Sequence, residues 1–215
     1  MGILERKKRE KDIRRQQIQN AAKTLFIQKG LNATTMEDIG NLAEVSPATI
    51  YLYFKNKEEL YASLNLITLQ YLFNEIKKVF DNSKLSVDEK ILRFKKGMYN
   101  TSKYEPLILR NIFHIQLEDT LLSINGELVK KINQVAKDIM TMIANVYEEG
   151  VRQGKFIEGH SMAHADIIWA LFTGLVLWEE SKKRHNPKKD FLKSTLDTAF
   201  EIFCRGIKKK RKLYL

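Results

Sequence analysis

Four hydroxyl groups and two lysine ammonium groups fall close together in the N-terminal third of the chain, and together they suit contact with a polyanion. They belong to Ser46, Thr49, Tyr51, Tyr53, Lys55 and Lys57. Hydroxyls donate hydrogen bonds to phosphate oxygens or to base edges, and lysines neutralise phosphate charge. These residue types therefore predict contact with nucleic acid, provided that one short element presents them together.

Two short helices joined by a tight turn are predicted to position these side chains. Ser46 followed by Pro47 marks the start of the second helix, because the hydroxyl can cap the first turn and proline there leaves no N–H unsatisfied. Ile50 and Phe54 are four residues apart and are predicted to face inward. The residues left to point outward are Ala48, Thr49, Leu52 and Tyr53, with Tyr51 at the margin.

The helix before the turn has its own start and packing signals. Thr34 or Thr35 can cap it, and an acid follows three residues later in the capping-box position, either Glu37 or Asp38. Its predicted buried face consists of Ile39, Leu42 and Ala43. An earlier helix is predicted from about residue 12 to 28, with Gly30 as its stop. Such helix pairs also occur in proteins that never touch DNA, so these signals alone leave both interpretations open.

A longer pattern resembles the DNA-binding head of the TetR family of bacterial transcription regulators, and it covers about a quarter of the chain. The matching positions are Phe26, Gly30, Thr34-Thr35, Asp38-Ile39, Val45-Ser46-Pro47, Ile50-Tyr51 and Tyr53 to Leu60. The resemblance implies an all-α protein with a three-helix helix-turn-helix head in residues 1–57 and a larger helical ligand-binding and dimerisation body in residues 58–215. It also implies an Ω-shaped homodimer on a palindromic double-stranded DNA operator, usually with a small-molecule inducer.

Carried over position by position, the resemblance places the DNA contacts on one set of residues. This set is Thr35, Ser46, Ala48, Thr49, Tyr51, Tyr53 and Lys57. Tyr51 and Lys57 look like phosphate anchors, whereas Ala48, Thr49 and Tyr53 are better placed for base contact. The alternative for Tyr51 is a half-buried residue of the head.

Two residues depart from the family pattern. Glu44 stands in the turn where relatives often have glycine, and a left-handed conformation there costs roughly 1–2 kcal/mol for any other residue. The turn is therefore either strained or differently shaped. Glu37 stands where some relatives have a basic residue facing DNA, and phosphate would repel its carboxylate.

The formal net charge of +11 and the sequence pI of about 9.6 favour a polyanionic partner. Basic residues are concentrated at the two ends of the chain, in residues 6 to 15 and 205 to 215. The first run is either a flexible arm that reaches a flanking phosphate or the minor groove, or a solvated and disordered end. For the second run a solvated end is favoured.

The body is predicted to begin without a linker, as a long helix from Glu58 to about Phe80. Further helices are predicted at about 86–103, 106–120, 124–153, 161–185 and 188–211. The longest apolar stretch, Ile167 to Trp178, falls short of the ~20 residues of a membrane span, and no secretory signal is recognised. With the single cysteine, Cys204, this indicates a cytoplasmic protein without a disulfide framework.

The last two predicted helices are candidates for the dimer interface. Their apolar faces include Ile168, Leu175, Leu192, Leu196, Phe200 and Phe203. Packed with a second copy, they would form an intermolecular four-helix bundle, as the resemblance implies. The alternative is that these faces complete the core of a monomer.

The candidate ligand-binding residues lie on helices that would surround a cavity in the family. They are Met98, Phe113, His114, Met140, Ile143, Trp169 and Phe172. Such side chains make adaptable apolar walls, and the alternative is that most of them are ordinary core residues. The spacing of the histidines and acids predicts no metal site, and no cofactor is predicted.

The sequence therefore predicts a ligand-responsive transcriptional regulator, a repressor released from its operator by an apolar or amphipathic ligand. The absence of a phosphate-binding glycine loop, a nucleophile elbow or a ligand set for a metal argues against an enzyme. The alternative is a TetR-like DNA-binding protein without an inducer, acting as an architectural or cell-division factor through a protein partner.

Overall fold

The computed structural model describes residues 2–104, 124–183 and 190–209, and within these ranges the chain forms eight helices and no β-strand. In chain order the helices are α1 (Ile3–Ala33), α2 (Met36–Leu42), α3 (Pro47–Tyr51), α4 (Lys57–Phe80), α5 (Val87–Tyr104), α6 (Gly126–Arg152), α7 (Ser161–Lys183) and α8 (Leu192–Ile207). The helix predicted at 106–120 lies outside the described residues.

Helix α1 starts nine residues earlier than the sequence analysis predicted, at Ile3 instead of about residue 12. The basic segment 6–15 is therefore helical, and its prediction as a flexible arm or a disordered end was wrong. The physical reason is local: no proline or glycine interrupts residues 3–29, which are rich in Lys, Arg, Gln and Glu, all good helix formers. Gly30 has φ +82° and ends the regular part of the helix, as predicted.

The head has its own apolar core, to which each of its first helices contributes. Ile18 and Ala22 of α1, Ile39 of α2 and Ile50 of α3 are fully buried. Leu42, predicted on the buried face of α2, is instead 49% exposed, because that helix ends there and the chain turns away. The first three helices nevertheless bury other apolar residues together, as the resemblance to a three-helix head implies.

The first turns of α4 belong to this core as well. Leu60 is fully buried, and the Tyr61 ring meets the Phe26 ring edge to face at a centroid distance of 5.4 Å. Gln19 of α1 donates a buried 2.8 Å hydrogen bond to the Ser63 hydroxyl. The beginning of α4 is thus fixed to the head by both apolar and polar contacts.

The described residues fall into two compact units, one formed by 2–67 and 124–132 and the other by 68–104, 133–183 and 190–209. Helix α4 runs without interruption through the division, as predicted from the missing linker. The domain boundary predicted after residue 57 remains a prediction.

In the second unit, α8 packs against both α5 and α7. Lys95 of α5 forms a 2.5 Å ion pair with Asp197 of α8. After α6 the chain turns at Gly154, whose φ is +69°, and the Phe156 ring covers Gly150 so closely that a Cβ there would lie 2.0 Å from it. Burial raises the pKa of the half-buried Cys204 thiol, which lowers its reactivity.

Candidate nucleic-acid interface

Helix α2 is held at its start by a reciprocal capping box. The Thr35 hydroxyl accepts from the Asp38 N–H at 3.0 Å, and the Asp38 carboxylate accepts from the Thr35 N–H at 2.8 Å. Lys29 reaches the same carboxylate at 2.6 Å. These hydrogen bonds, with that from Lys29 the strongest contribution, hold the pKa of Asp38 well below its usual range. Of the alternatives that the sequence left open, Thr35 and Asp38 form the box.

The turn between α2 and α3 requires two unusual backbone arrangements. Glu44 has φ +53°, a left-handed conformation, so of the two alternatives that the sequence left open the turn is the strained one. Val45 N–H donates to the Gly40 carbonyl at 2.9 Å, and a Cβ at position 40 would lie 2.7 Å from the Val45 carbonyl oxygen. Gly40 is therefore needed for the close approach of the turn, a role that the sequence analysis missed because no turn signal surrounds this glycine.

Helix α3 begins and packs as predicted. The Ser46 hydroxyl accepts from the Thr49 N–H at 3.1 Å, Pro47 occupies the first helical position, and the two hydroxyls of Ser46 and Thr49 lie 2.9 Å apart. Ile50 is fully buried and Phe54 is 1% exposed. These two side chains face the core, and most of the remaining surface of the helix is turned outward.

The outward surface of α3 consists largely of the predicted contact residues. Ser46, Ala48 and Tyr51 are exposed, and Thr49 and Tyr53 are half-buried. Tyr51 is 53% exposed, so its alternative as a half-buried residue of the head was wrong. Leu52 is 79% exposed beside it, which gives this face an apolar contact as well as hydroxyl donors.

Lys57, predicted as a phosphate anchor, is occupied within the head. Its ammonium group donates to the Thr34 carbonyl at 2.9 Å and more weakly to the Asn32 carbonyl at 3.4 Å. An ammonium group has three donors, so one remains for a phosphate. Lys57 thus joins the start of α4 to the connection between α1 and α2, whereas Lys55 is exposed.

Two α1 side chains that were not predicted as site residues hold the rim of the helix pair, by which we mean the residues just after the ends of α2 and α3. The Arg15 guanidinium donates to the Tyr53 carbonyl at 3.3 Å and lies over the Phe54 ring, 4.3 Å from its centroid. Gln17 donates to the Ala43 carbonyl at 2.6 Å. Both side chains are polar residues within a longer polar run, so the sequence offers no signal that separates them from solvent-exposed neighbours.

The predicted dimer residues lie mostly inside the protomer. Ile168, Leu192, Leu196, Phe200 and Phe203 are buried by the packing of α7 and α8 within one chain, and Leu175 is half-buried. Their burial supports the alternative that these faces complete the core of the protomer, and their place in a dimer interface stays a prediction.

A different face of α7 is exposed and has no partner among the described residues. We call it the α7 stripe; its residues recur at helical spacing and are all exposed: Ala163, Ile167, Ala170, Gly174 and Trp178. Trp178 is 63% exposed, and Ile202 of α8 is 65% exposed. Among the described residues, Ser161–Lys182 is long and apolar enough to cross a membrane by length and composition. The same composition suits a helix that buries one face in its own chain and another against a partner.

The predicted ligand residues divide between core and partly exposed positions. Met98 and Phe172 are fully buried, Ile143 is 2% exposed, and Met140 and Trp169 are half-buried. Trp169 and Phe172 meet edge to face at 6.1 Å. Phe113 and His114 lie outside the described residues. Within the described ranges, no three His, Cys, Asp or Glu side chains converge in a metal-binding group.

One polar side chain of α4, that of Asn65, is buried although one of its polar atoms lacks a hydrogen-bond partner among the described residues. Asn65 is 3% exposed, and its side-chain carbonyl oxygen is buried without a hydrogen-bond donor within the described part of the chain. An unsatisfied buried acceptor costs about 1–3 kcal/mol, so a position of this kind calls for a reason.

The family model for bacterial regulatory proteins of the tetR family matches residues 18–64. The match begins at the first fully buried residue of α1 and ends in the part of α4 that belongs to the head. It therefore contains the capped helix pair and the core that supports it.

Known relatives extend the similarity over most of the chain. An uncharacterized HTH-type transcriptional regulator of Bacillus subtilis, YhgD, is 28% identical over 175 residues, which is 81% of this chain and 87% of its own. The fatty acid metabolism regulator protein of the same organism is 26% identical over 200 residues, 90% of this chain and 95% of its own.

A solved structure agrees with this fold. The transcriptional regulator FadR from Bacillus subtilis, in complex with stearoyl-CoA, has a TM-score of 0.66 at 23% identity and covers 89% of this chain and 98% of its own. The arrangement of a helix-turn-helix head and a helical body is thus shared along nearly the whole chain.

Proposed function

Because this chain belongs to the TetR family of bacterial transcriptional regulators, we propose that it represses transcription as a homodimer on a palindromic operator and that a small amphipathic ligand releases it. The observation that carries the proposal is the exposed face of α3, capped at Ser46 and held from behind by Ile50 and Phe54. A short helix on a neighbouring helix is the form in which small proteins enter the DNA major groove.

Within this proposal, the contact residues have different tasks. Ala48, Thr49 and Tyr53 contact base edges, because small and hydroxyl side chains at the start and end of α3 allow close approach. Thr35, Ser46 and Tyr51 donate to phosphates. Lys57 contributes its remaining donor to a phosphate while it holds the head together.

The dimer forms through the α7 stripe, and the exposed Ile202 of α8 is a further candidate for the interface. Small residues alternate with Ile167 and Trp178 along the stripe, so a second copy can approach closely and still bury large apolar side chains. An isologous contact of this kind places two heads on two half-sites, which are separated by about 34–36 Å in adjacent major grooves.

The ligand is proposed to be a long-chain acyl compound or another molecule with an apolar chain and a polar end. The relative that shares 26% identity is a fatty acid metabolism regulator, and a protein of the same fold was solved with stearoyl-CoA. Met98, Met140, Ile143, Trp169 and Phe172 are the candidate apolar wall. Phe113 and His114, which lie outside the described residues, remain candidate ligand residues.

Release of the operator requires that the ligand bind more tightly to a state whose heads no longer fit the two half-sites. Helix α4 is the element that can connect ligand and head, because it is continuous from Lys57 to Phe80. Couplings of this kind are typically about 1–3 kcal/mol. Repression follows most simply from a dimer that occupies the promoter, and a regulator of this kind acts in the cytoplasm.

The test is selection of bound duplexes from a random DNA pool with the full-length protein, followed by titration of stearoyl-CoA against the selected duplex. Recovery of a palindrome and its loss of binding with the acyl compound, but not with free CoA, is expected. Recovery of a palindrome that stays bound with every acyl chain length would favour the DNA-binding factor without an inducer. Recovery of no sequence would contradict the proposal.

A further inference from the structure

The first turns of α1 form a helix that no other part of the described chain supports. Residues 2–14 are all exposed, and every hydrogen bond or ion pair that they make there stays within α1, such as Arg6 with Glu10 at 2.9 Å. At 1.5 Å per residue, the segment from Ile3 to Arg15 extends about 18 Å beyond the contact of Arg15 with Tyr53.

One face of this segment is basic. At about 100° per residue, Lys7, Lys11 and Arg14 fall within an arc of roughly 60°, and Lys8 and Arg15 lie next to them. We call these five residues the basic stripe. The acids of the segment, Glu5, Glu10 and Asp12, lie to either side of it. Within the stripe, Lys7 and Lys11 are four residues apart and repel each other, as do Lys11 and Arg15.

The basic stripe is aligned with the face of α1 that packs on the helix pair. Ile18 and Ala22 are both fully buried in the head. They follow Lys11 by about two and three helical turns and lie on the same side of the helix. Arg15 and Gln17, at the end of the stripe, bond to the carbonyls of Tyr53 and Ala43 at the rim of the helix pair. The stripe therefore continues past the rim on the side of α2 and α3.

We propose that the basic stripe is a second DNA-binding element, a folded helix that contacts the phosphates next to each half-site. DNA fits this surface because Lys7, Lys8, Lys11 and Arg14 repeat along a face that contacts no other element of the described chain, and because Arg15 at its end lies against the residues that follow α3. At about 3.4 Å per base pair, an 18 Å helix spans roughly five base pairs. The inference rests on the proposed DNA binding and adds the flanking backbone to the site.

The test compares two double variants of the full-length protein that lose the same charge from opposite faces. Lys7→Gln with Lys11→Gln removes charge from the stripe, whereas Arg6→Gln with Arg9→Gln removes it from the other side of the same helix. Binding is measured by fluorescence anisotropy over a range of salt, on the selected operator and on a random duplex.

For the stripe variant, affinity is expected to fall at least about tenfold on both duplexes, with a salt slope smaller by about 0.9 for each lost phosphate contact. The selected sequence should not change. The variant with Lys7→Arg and Lys11→Arg is expected to restore wild-type binding. The Arg6 and Arg9 variant should keep the wild-type slope, and circular dichroism should show both double variants folded.

Equal losses in both double variants would overturn the proposal, since only net charge would then matter. An unchanged salt slope in the stripe variant, with operator binding intact, would overturn it while leaving the proposed function standing. Ile13→Pro, which interrupts the helix and keeps every charge, should weaken binding as the stripe variant does. Wild-type affinity in Ile13→Pro would overturn the requirement for a folded helix.

Discussion

Glu44 holds a backbone conformation that side chains other than glycine rarely adopt. Because its φ is +53°, Glu44→Gly is expected to relieve strain of roughly 1–2 kcal/mol, less the entropy that glycine loses on folding. The melting temperature should stay level or rise, and operator affinity should be unchanged. Asn41→Gly, on the exposed surface of α2, is the matched control and should lower the melting temperature. A clear loss of stability in Glu44→Gly would contradict the assigned strain.

Alanine variants of Lys57 and Lys55 distinguish a loss of protein stability from a loss of charge, because only Lys57 also bonds to backbone carbonyls. Lys57→Ala is expected to lower both the melting temperature and the affinity for all DNA, because it removes hydrogen bonds to the Thr34 and Asn32 carbonyls as well as a charge. Lys55→Ala, at an exposed position, should leave the melting temperature unchanged. Thermal melting and anisotropy at several salt concentrations distinguish the two. Identical melting temperatures for both variants would show that Lys57 does not stabilise the head.

Asn65 is expected to lower the stability of the protein, because its buried side-chain oxygen accepts no hydrogen bond in the described part of the chain. Asn65→Leu should keep or raise the melting temperature, since it removes a buried acceptor that has no donor. Its operator affinity should be near wild type. A melting temperature well below wild type would mean that the asparagine oxygen is satisfied in the folded protein.

At the scale of elements, the turn between α2 and α3 depends on the absence of a side chain at position 40. Gly40→Ala would bring a Cβ to 2.7 Å from the Val45 carbonyl oxygen, so the turn has to open. A loss of about 1–3 kcal/mol in unfolding free energy is expected, with a loss of operator binding. Gly206→Ala, in open space on α8, is the control and should stabilise by a fraction of a kcal/mol to about 1 kcal/mol. Equal melting temperatures for the two variants would contradict the assigned role of Gly40.

The elements differ in how far their sequences predicted them. Helix starts were predictable where a cap and a proline or an acid act within one turn, as at Thr35 and Ser46. The end of the regular part of α1 was predictable from Gly30, but its start was not predicted, because a run of basic residues is typical of solvated chain ends as well as of helices. The helix-forming residues in that segment and the absence of any breaker were the signal that would have found it.

At the scale of the whole molecule, the α7 stripe is expected to hold two copies together. Ala170→Glu places a charge in the middle of the stripe, where the side chain is exposed in one protomer. Sedimentation should show a monomer, and operator binding should fall steeply because each head alone reads few base pairs. Leu92→Glu, at another exposed apolar position, is the control and should remain dimeric. A dimeric Ala170→Glu variant would place the interface elsewhere.

The sequence by itself determined the local features of this protein: the capped helix pair, the inward spacing of Ile50 and Phe54, the unlinked start of α4 and the family resemblance. These depend on interactions between residues a few positions apart, which the order of residue types encodes directly. Only the tertiary structure decided which partner each surface meets. It placed Leu196 and Phe200 in the protomer core, left the α7 stripe exposed and directed the Lys57 ammonium group to the Thr34 carbonyl. Periodicity predicts that a helix has an apolar face, but the packing of segments distant in sequence decides what covers that face.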